Sequence, residues 1–201
     1  MTDAVVLFSG GADSTFALVQ TVARYSASSA VGLFVDYGQP AGITERARAE
    51  ALCASRGVRF LSVSAPASGL SGLSGATGCP VVPGRNALLL AIGVNHAAGM
   101  GASAVVFGAT KQDHGTFPDC RPAFFDAFEA VIAASGLSVR VELPVLELDK
   151  RDVFAGLAGA GVQFVDTWSC YGPGPRECGR CLSCVERTDA LTDWSMEGMP
   201  T

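Results

Sequence analysis

Two groups of residues in this 201-residue chain have types and spacing suited to chemistry. The first is SGGADST, residues 9–15, set between the apolar run AVVLF and the helical pattern FALVQTVARY. A strand, a glycine turn and a helix in succession aim free backbone N–H groups and a positive helix end at an anion. Gly10 and Gly11 permit unusual backbone angles and close approach of a ligand, and Ser9, Ser14 and Thr15 add hydroxyls. Asp13 has two readings, as a cap of the helix or as a holder of Mg2+ beside phosphates. A plain capped turn uses the same residues. No lysine opens the helix, which excludes the GxxxxGK[ST] loop of phosphoryl-transfer enzymes and leaves a cradle of backbone donors and hydroxyls for pyrophosphate.

The second group is Cys170, Cys178, Cys181 and Cys184, four of the seven cysteines, within fifteen residues. Four thiolates close a tetrahedral zinc site with Zn–S bonds of about 2.3 Å, leaving no position for water, so the role expected of Zn2+ is structural. An all-thiolate set also suits an iron–sulfur cluster. A nucleic-acid-binding ribbon has only Arg176, Arg180 and Arg187 to offer nearby. Cys53, Cys79 and Cys120 are scattered and read as ordinary buried or loop thiols.

Positioning these residues requires a scaffold, and the hydrophobic periodicity supplies one. Strands are expected at 4–8, 30–37, 58–63, 103–108 and 137–143, alternating with helices at 13–25, 43–56, 86–100, 121–135 and 149–160. Such alternation predicts a Rossmann-like α/β fold, a parallel sheet with helices on both faces, whose ligands sit outside the carboxyl ends of the strands. Residues 64–80, rich in Gly, Ser and Ala, read as a long mobile loop, and the thiol stretch has too little apolar content for a core of its own. The expected division is therefore an α/β domain over 1–165 and a zinc-binding segment with a tail over 166–201. Apolar residues make up 49% and charged residues 16%, which excludes a disordered chain. A net charge of −5 gives no support to a nucleic-acid partner. No apolar run reaches membrane-span length and the MTD start lacks a basic leader, so the expectation is no membrane and a cytoplasmic location.

SGGxDS after a first strand resembles the PP-loop of N-type ATP pyrophosphatases, which use ATP to adenylate an oxygen of their substrate. The resemblance narrows with VDYGQ (35–39), VPGRN (82–86), PDCRP (118–122), TWSCY (167–171) and CGRCLSC (178–184), which occur in the same order in the 7-cyano-7-deazaguanine (preQ0) synthases of queuosine biosynthesis. It covers nearly the whole chain. It implies an ATP site at Leu7, Phe8, Ser9, Gly10, Gly11, Ala12, Asp13, Ser14, Thr15, Arg85 and Asn86, with Asp13, Arg85 and Asp113 serving catalysis. It further implies Mg2+, zinc rather than an iron–sulfur cluster at the thiols, free ammonia as nitrogen donor, and a homodimer. Asn86 is equally acceptable as a helix N-cap.

The family's substrate, 7-carboxy-7-deazaguanine, needs an acceptor for its amidine-like edge, a stacking partner and a cation for its carboxylate. HGTFPDCRP holds all three types: Asp119 as acceptor, Phe117 or His114 for stacking, and Arg121 as cation. Asp119 could instead cap the helix beginning near Arg121. Lys111 reads as solvated and His96 as an ordinary helix residue. The chain departs from the family after Gln39, where PAGITE replaces a basic residue, a His and a Glu and displaces Glu45. Thr110 and His114 stand where the family has Asn and Tyr, and the loop before VPGRN is shortened. These departures leave open a homologue that stops at the amide or transfers the deazaguanine; a tRNA-thiolating PP-loop enzyme and a zinc-stabilised nucleotide-binding module without turnover are two further readings.

Overall fold

A computed structural model describes residues 1–65 and 82–196. Most of the 64–80 loop, with Cys79, lies outside the described residues. Five parallel strands form one sheet in the order β3-β2-β1-β4-β5: β1 (Ala4–Leu7), β2 (Ala30–Asp36), β3 (Arg59–Ser64), β4 (Ala104–Val106) and β5 (Arg140–Glu142). The order turns outward in both directions from β1, the arrangement that opens a crevice at the carboxyl ends of the central strands. Helices α1 (Ala12–Tyr25), α2 (Gly42–Ser55), α3 (Arg85–Met100) and α5 (Pro122–Ala134) are the crossovers, α4 (Asp113–Thr116) is a single turn, and α6 (Lys150–Gly159) follows the last strand. A further helix, α7 (Leu182–Met196), follows the thiol loop and was not expected from the periodicity.

The central strands are apolar except at Asp36, the last residue of β2, and their pleat divides them between two cores. Val5, Leu7, Val31, Leu33 and Val105 point to α3 and α5, where Leu90, Val94, Phe125 and Ile132 meet them. Ala4, Val6, Phe34 and Val106 point to the other face, covered by α1, α2 and α6 through Leu18, Leu52, Phe154 and Leu157. Continuous burial on both faces is why these strands read as unbroken apolar runs. Ala190 of α7 joins the second core, so the C-terminal segment packs onto the α/β body through α6.

Two close approaches bring the ends of the strands together. Gly10 has φ +77°, and a Cβ there would stand 2.8 Å from the Ala49 backbone nitrogen, so α2 lies directly against the turn after β1. At Gly108, past the end of β4, a Cβ would meet Ser14 backbone atoms at 2.9 Å. Glycine at both positions lets α1 begin between its neighbours.

Candidate active site

The cavity opens where theory places it, at the carboxyl ends of β1, β2 and β4. Its floor is the turn after β1, whose hydroxyls are organised around one carbonyl. Thr15 Oγ1 and Ser14 Oγ donate to Gly11 O at 2.7 and 3.1 Å, and Ser14 Oγ lies 3.1 Å from Ser9 Oγ. The Gly11 N–H makes only a long 3.3 Å bond to Ser9 Oγ, a donor easily given over to a ligand.

Asp13 is not a cap. Gly11 occupies the N-cap of α1 with no side-chain bond, and Asp13 instead pairs with Lys150 Nζ. Its second oxygen, Oδ1, is buried with no hydrogen-bond partner among the described residues. Burial raises the Asp13 carboxyl, Lys150 opposes that, and Asp113 adds to it. Burial alone would lower the Lys150 ammonium, but Asp13 and Asp113 hold it well above its ordinary value, so it stays charged. Lys150 is placed by a capping box: Asp152 N donates to Asp149 Oδ1 at 2.9 Å, and Asp149 N to Asp152 Oδ2 at 3.3 Å. This box fixes Lys150 as the first residue of α6. Asp113 is held by Thr110, whose backbone N–H and hydroxyl donate to Oδ2 at 2.8 and 2.9 Å.

Arg85 and Asn86 open α3 behind Gly84, whose φ of +73° takes the cap position, so Asn86 is not the cap either. The Asn86 amide donates to Asp119 O (3.2 Å) and to Cys120 Sγ (3.3 Å), tying α3 to the turn 118–120. Phe117 lines the cavity beside Leu89 and Phe107. Asp119 and Arg121 do not line it; Arg121 is exposed, and its Nε donates to His114 O. Asp119 does not cap α5, whose N-cap is Arg121. Among the described residues His114 Nε2 is buried without a partner, and His114 is likewise absent from the cavity wall. Of the loop residues, Gly10 and Thr15 face away from the cavity, while Leu7, Phe8, Ser9, Gly11, Ala12, Asp13 and Ser14 line it.

Several wall residues were not assigned to the site from the sequence. Lys150 comes from 137 positions beyond Asp13. Glu45, the displaced acid, reaches the cavity from the first turn of α2 and accepts from Gln39 Nε2 at 3.0 Å. Burial raises its carboxyl, partly offset by Gln39 and Arg85. Tyr37 and Tyr171 are both raised by burial, Tyr171 to about 12, which keeps them neutral hydrogen-bond donors. Trp168, Ser169, Tyr171, Ser183 and Glu186 bring the thiol segment into the wall.

The four clustered thiols converge as expected: all four sulfur atoms lie within 4.8 Å of one another. Backbone N–H groups of Arg180 and Cys181 pull the Cys178 thiol down to about 6, while burial raises Cys170, whose sulfur accepts from Gly172 N and Cys178 N. Such a set suits a metal ion. Cys53 and Cys120 are pushed up to about 12 by burial and are inert thiols.

A family model described as queuosine biosynthesis protein QueC matches residues 3–78 and 74–195. The 7-cyano-7-deazaguanine synthase of Desulfotalea psychrophila (strain LSv54 / DSM 12343) is 33% identical over 208 residues, 95% of this chain and 94% of its own. That of Marinobacter nauticus (strain ATCC 700491 / DSM 11845 / VT8) is 34% identical over 209 residues, 95% and 93% of the two chains. NMN synthetase from Francisella tularensis shares the fold with TM-score 0.59 at 15% identity, over 99% of this chain and 79% of that one. The U34-tRNA thiolase NcsA of Methanococcus maripaludis, solved with its 4Fe–4S cluster, shares it with TM-score 0.58 at 15% identity, over 96% and 65%. Those two likenesses speak for the PP-loop fold alone. The full-length matches go further: the chain belongs to the QueC family, the 7-cyano-7-deazaguanine synthases.

Proposed function

We propose that the protein is an ATP-dependent ligase that converts 7-carboxy-7-deazaguanine and ammonia to 7-cyano-7-deazaguanine, with the amide as intermediate. The observation that carries this reading is one cavity in which a backbone-lined anion cradle meets the cations Arg85 and Lys150 beside an apolar and aromatic wall. In the first round a substrate carboxylate oxygen attacks the α-phosphorus of ATP, pyrophosphate leaves, and ammonia displaces AMP to give the amide. In the second the amide oxygen attacks the α-phosphorus of another ATP, releasing pyrophosphate and one nitrogen-bound proton. Loss of AMP with the last nitrogen-bound proton leaves the nitrile. Both rounds adenylate an oxygen on the same carbon, so one set of groups serves both. Gly11 N–H, the Ser9 and Ser14 hydroxyls, Arg85 and Lys150 stabilise charge that builds on the phosphates, and the wall keeps water from the adenylate. Phe117 stacks on the flat ring.

Mg2+ fits beside Asp13, whose Oδ1 is buried and unpartnered; Asp13 and Asp113 would hold it. It would offset charge on the triphosphate. At the thiols we favour a single zinc ion: sulfurs all within 4.8 Å suit one tetrahedral centre, whereas a cubane cluster spreads its thiolates over four irons. Zinc there is structural. A homodimer of the 20.6 kDa chain and a cytoplasmic location complete the reading, the latter in keeping with a thiolate-held metal.

Purified protein is incubated with 7-carboxy-7-deazaguanine, ATP, magnesium and ammonium and the products are followed by mass spectrometry. Nitrile with AMP and pyrophosphate is the expected result. Accumulated amide overturns the second round, and no consumption of acid or ATP overturns the whole reading.

A further inference from the structure

The thiol segment does more than close a tail. Residues 167–170 form a strap laid across the pyrophosphate loop, and most of the strap's donor groups are committed. Trp168 N donates to Gly10 O at 2.9 Å, and Trp168 Nε1 donates to Cys170 O at 2.9 Å. Thr167 Oγ1 and Ser169 Oγ accept from Arg187 Nη1 at 2.8 and 3.2 Å, and Ser169 N donates to Glu177 Oε1 at 3.0 Å. Glu177 in turn pairs with Arg187 at 3.6 Å. Trp168 is 5% exposed and packs with Ala41, Cys170 and Cys184. The Trp168 carbonyl lies 3.3 Å from where a Cβ on Gly11 would stand.

A trans peptide is planar, with its C=O and N–H pointing in opposite directions. Whatever holds Gly10 O therefore also aims the N–H of Gly11. With Gly10 O turned toward Trp168, the Gly11 N–H points the other way, into the cavity, where only the long bond to Ser9 Oγ occupies it. Gly10 and Gly11 lack the side chains that would otherwise restrict this peptide's rotation. We propose that Trp168 is the positioning residue of the phosphate site: its main-chain N–H locks the Gly10–Gly11 peptide with the Gly11 N–H presented to a phosphate oxygen. Its indole, tied to the Cys170 carbonyl, transmits the geometry of the four-thiolate centre to that lock.

The inference requires only that the loop binds pyrophosphate or ATP, so it stands apart from the identity of the deazaguanine product. Its test is titration calorimetry of pyrophosphate and of ATP against the intact, metal-containing protein and three variants. Trp168→Phe keeps the ring bulk and the main-chain donor but loses the Cys170 link; a threefold weaker affinity is expected. Trp168→Ala loses the packing as well, with about tenfold weakening expected. Trp168→Pro also deletes the N–H, and Thr167, extended at φ −91° and ψ 159°, tolerates a following proline; the gap between it and Trp168→Ala isolates the peptide lock, expected at a further tenfold. Metal content equal to wild type, and a KM for ammonium unchanged while that for ATP rises, mark a positioning role. Affinities within twofold of wild type in Trp168→Phe and Trp168→Ala overturn the link to the thiolate centre, and a Trp168→Pro affinity equal to that of Trp168→Ala overturns the lock itself. So does a loss of ATP affinity matched by equal losses of metal and of ammonium KM, which is what general damage to the fold produces.

Discussion

Lys150 reaches Asp13 from 137 positions away, and the two side chains are only 15% and 23% exposed. A mostly desolvated pair at the phosphate end of a cavity serves charge development better than stability, because its field acts where water does not screen it. Lys150→Met keeps the stem and removes the charge. Turnover should fall about 100- to 1,000-fold, the loss typical of deleting one transition-state donor. The Asp13→Asn, Lys150→Met double variant should be no worse than the poorer single one, since the pair acts as a unit; additive losses in steady-state kinetics would refute that coupling. Glu45 gives a pH signature. Burial lifts its carboxyl above the ordinary 4.5, so the stability it contributes is full below that value and is lost as pH rises through the raised folded value. Calorimetric Tm of wild type minus that of Glu45→Gln should become more positive as pH falls from about 7 to about 5; parallel profiles would contradict the assignment. At this scale the phosphate loop was legible because its residues are contiguous. The Asp13–Lys150 pair was not, since its members meet only in three dimensions, and an isolated DKRD box says where a helix starts and nothing about what its first side chain touches.

The site is aimed by helices, and their packing sets its tolerance. Helix α6, which carries Lys150, lies so close to α1 that a Cβ on Gly156 would fall 2.0 Å from Phe16 Cζ. On propensity alone Gly→Ala inside a helix gains about 1 kcal/mol, whereas overpacking costs roughly 1–3 kcal/mol and here also shifts α6. Gly156→Ala should therefore lower stability, by about 1–2 kcal/mol, and raise the KM for ATP by moving Lys150. Gly99, in α3 with nothing within 4 Å of its would-be Cβ, is the control: Gly99→Ala should gain about 0.5–1 kcal/mol in urea unfolding with kinetics unchanged. Equal signs at the two sites would mean that the α1–α6 contact is looser than described. Elements were the most legible level. The ten expected strands and helices all occur, because an all-apolar strand between amphipathic helices has few other solutions. The expected fourth strand, 103–108, overshoots the observed Ala104–Val106: Phe107 and Gly108 leave the sheet to line the cavity. Helix α7 escaped notice because its apolar positions are interleaved with thiols and charges, and its contacts with α6 hold it in place.

Over the whole molecule, composition alone suggested a zinc appendage from residue 166 hung on an α/β body, yet the packing argues for one cooperative unit. Ala190 sits in the core shared by α1 and α6, and Arg187, 9% exposed, donates to Phe164 O as well as to the strap, with its guanidinium 5.7 Å from the Phe154 ring. Burial lowers the Arg187 guanidinium and Glu177 opposes that, a buried charge whose partners lie on both sides of the expected boundary. Cutting it out leaves those partners unpaired, a loss of about 3–5 kcal/mol by the usual measure for a broken buried pair. In a chain of this size that is a fall in Tm on the order of 10 °C. Metal release and loss of far-UV ellipticity should coincide during heating of the wild-type protein, since the thiol segment has no core with which to unfold separately. In Arg187→Met both should move down together by the same interval. A chromogenic chelator in the melt reads the first event and circular dichroism the second; metal leaving well before the helices melt, in either protein, would restore the two-part molecule that the composition suggests.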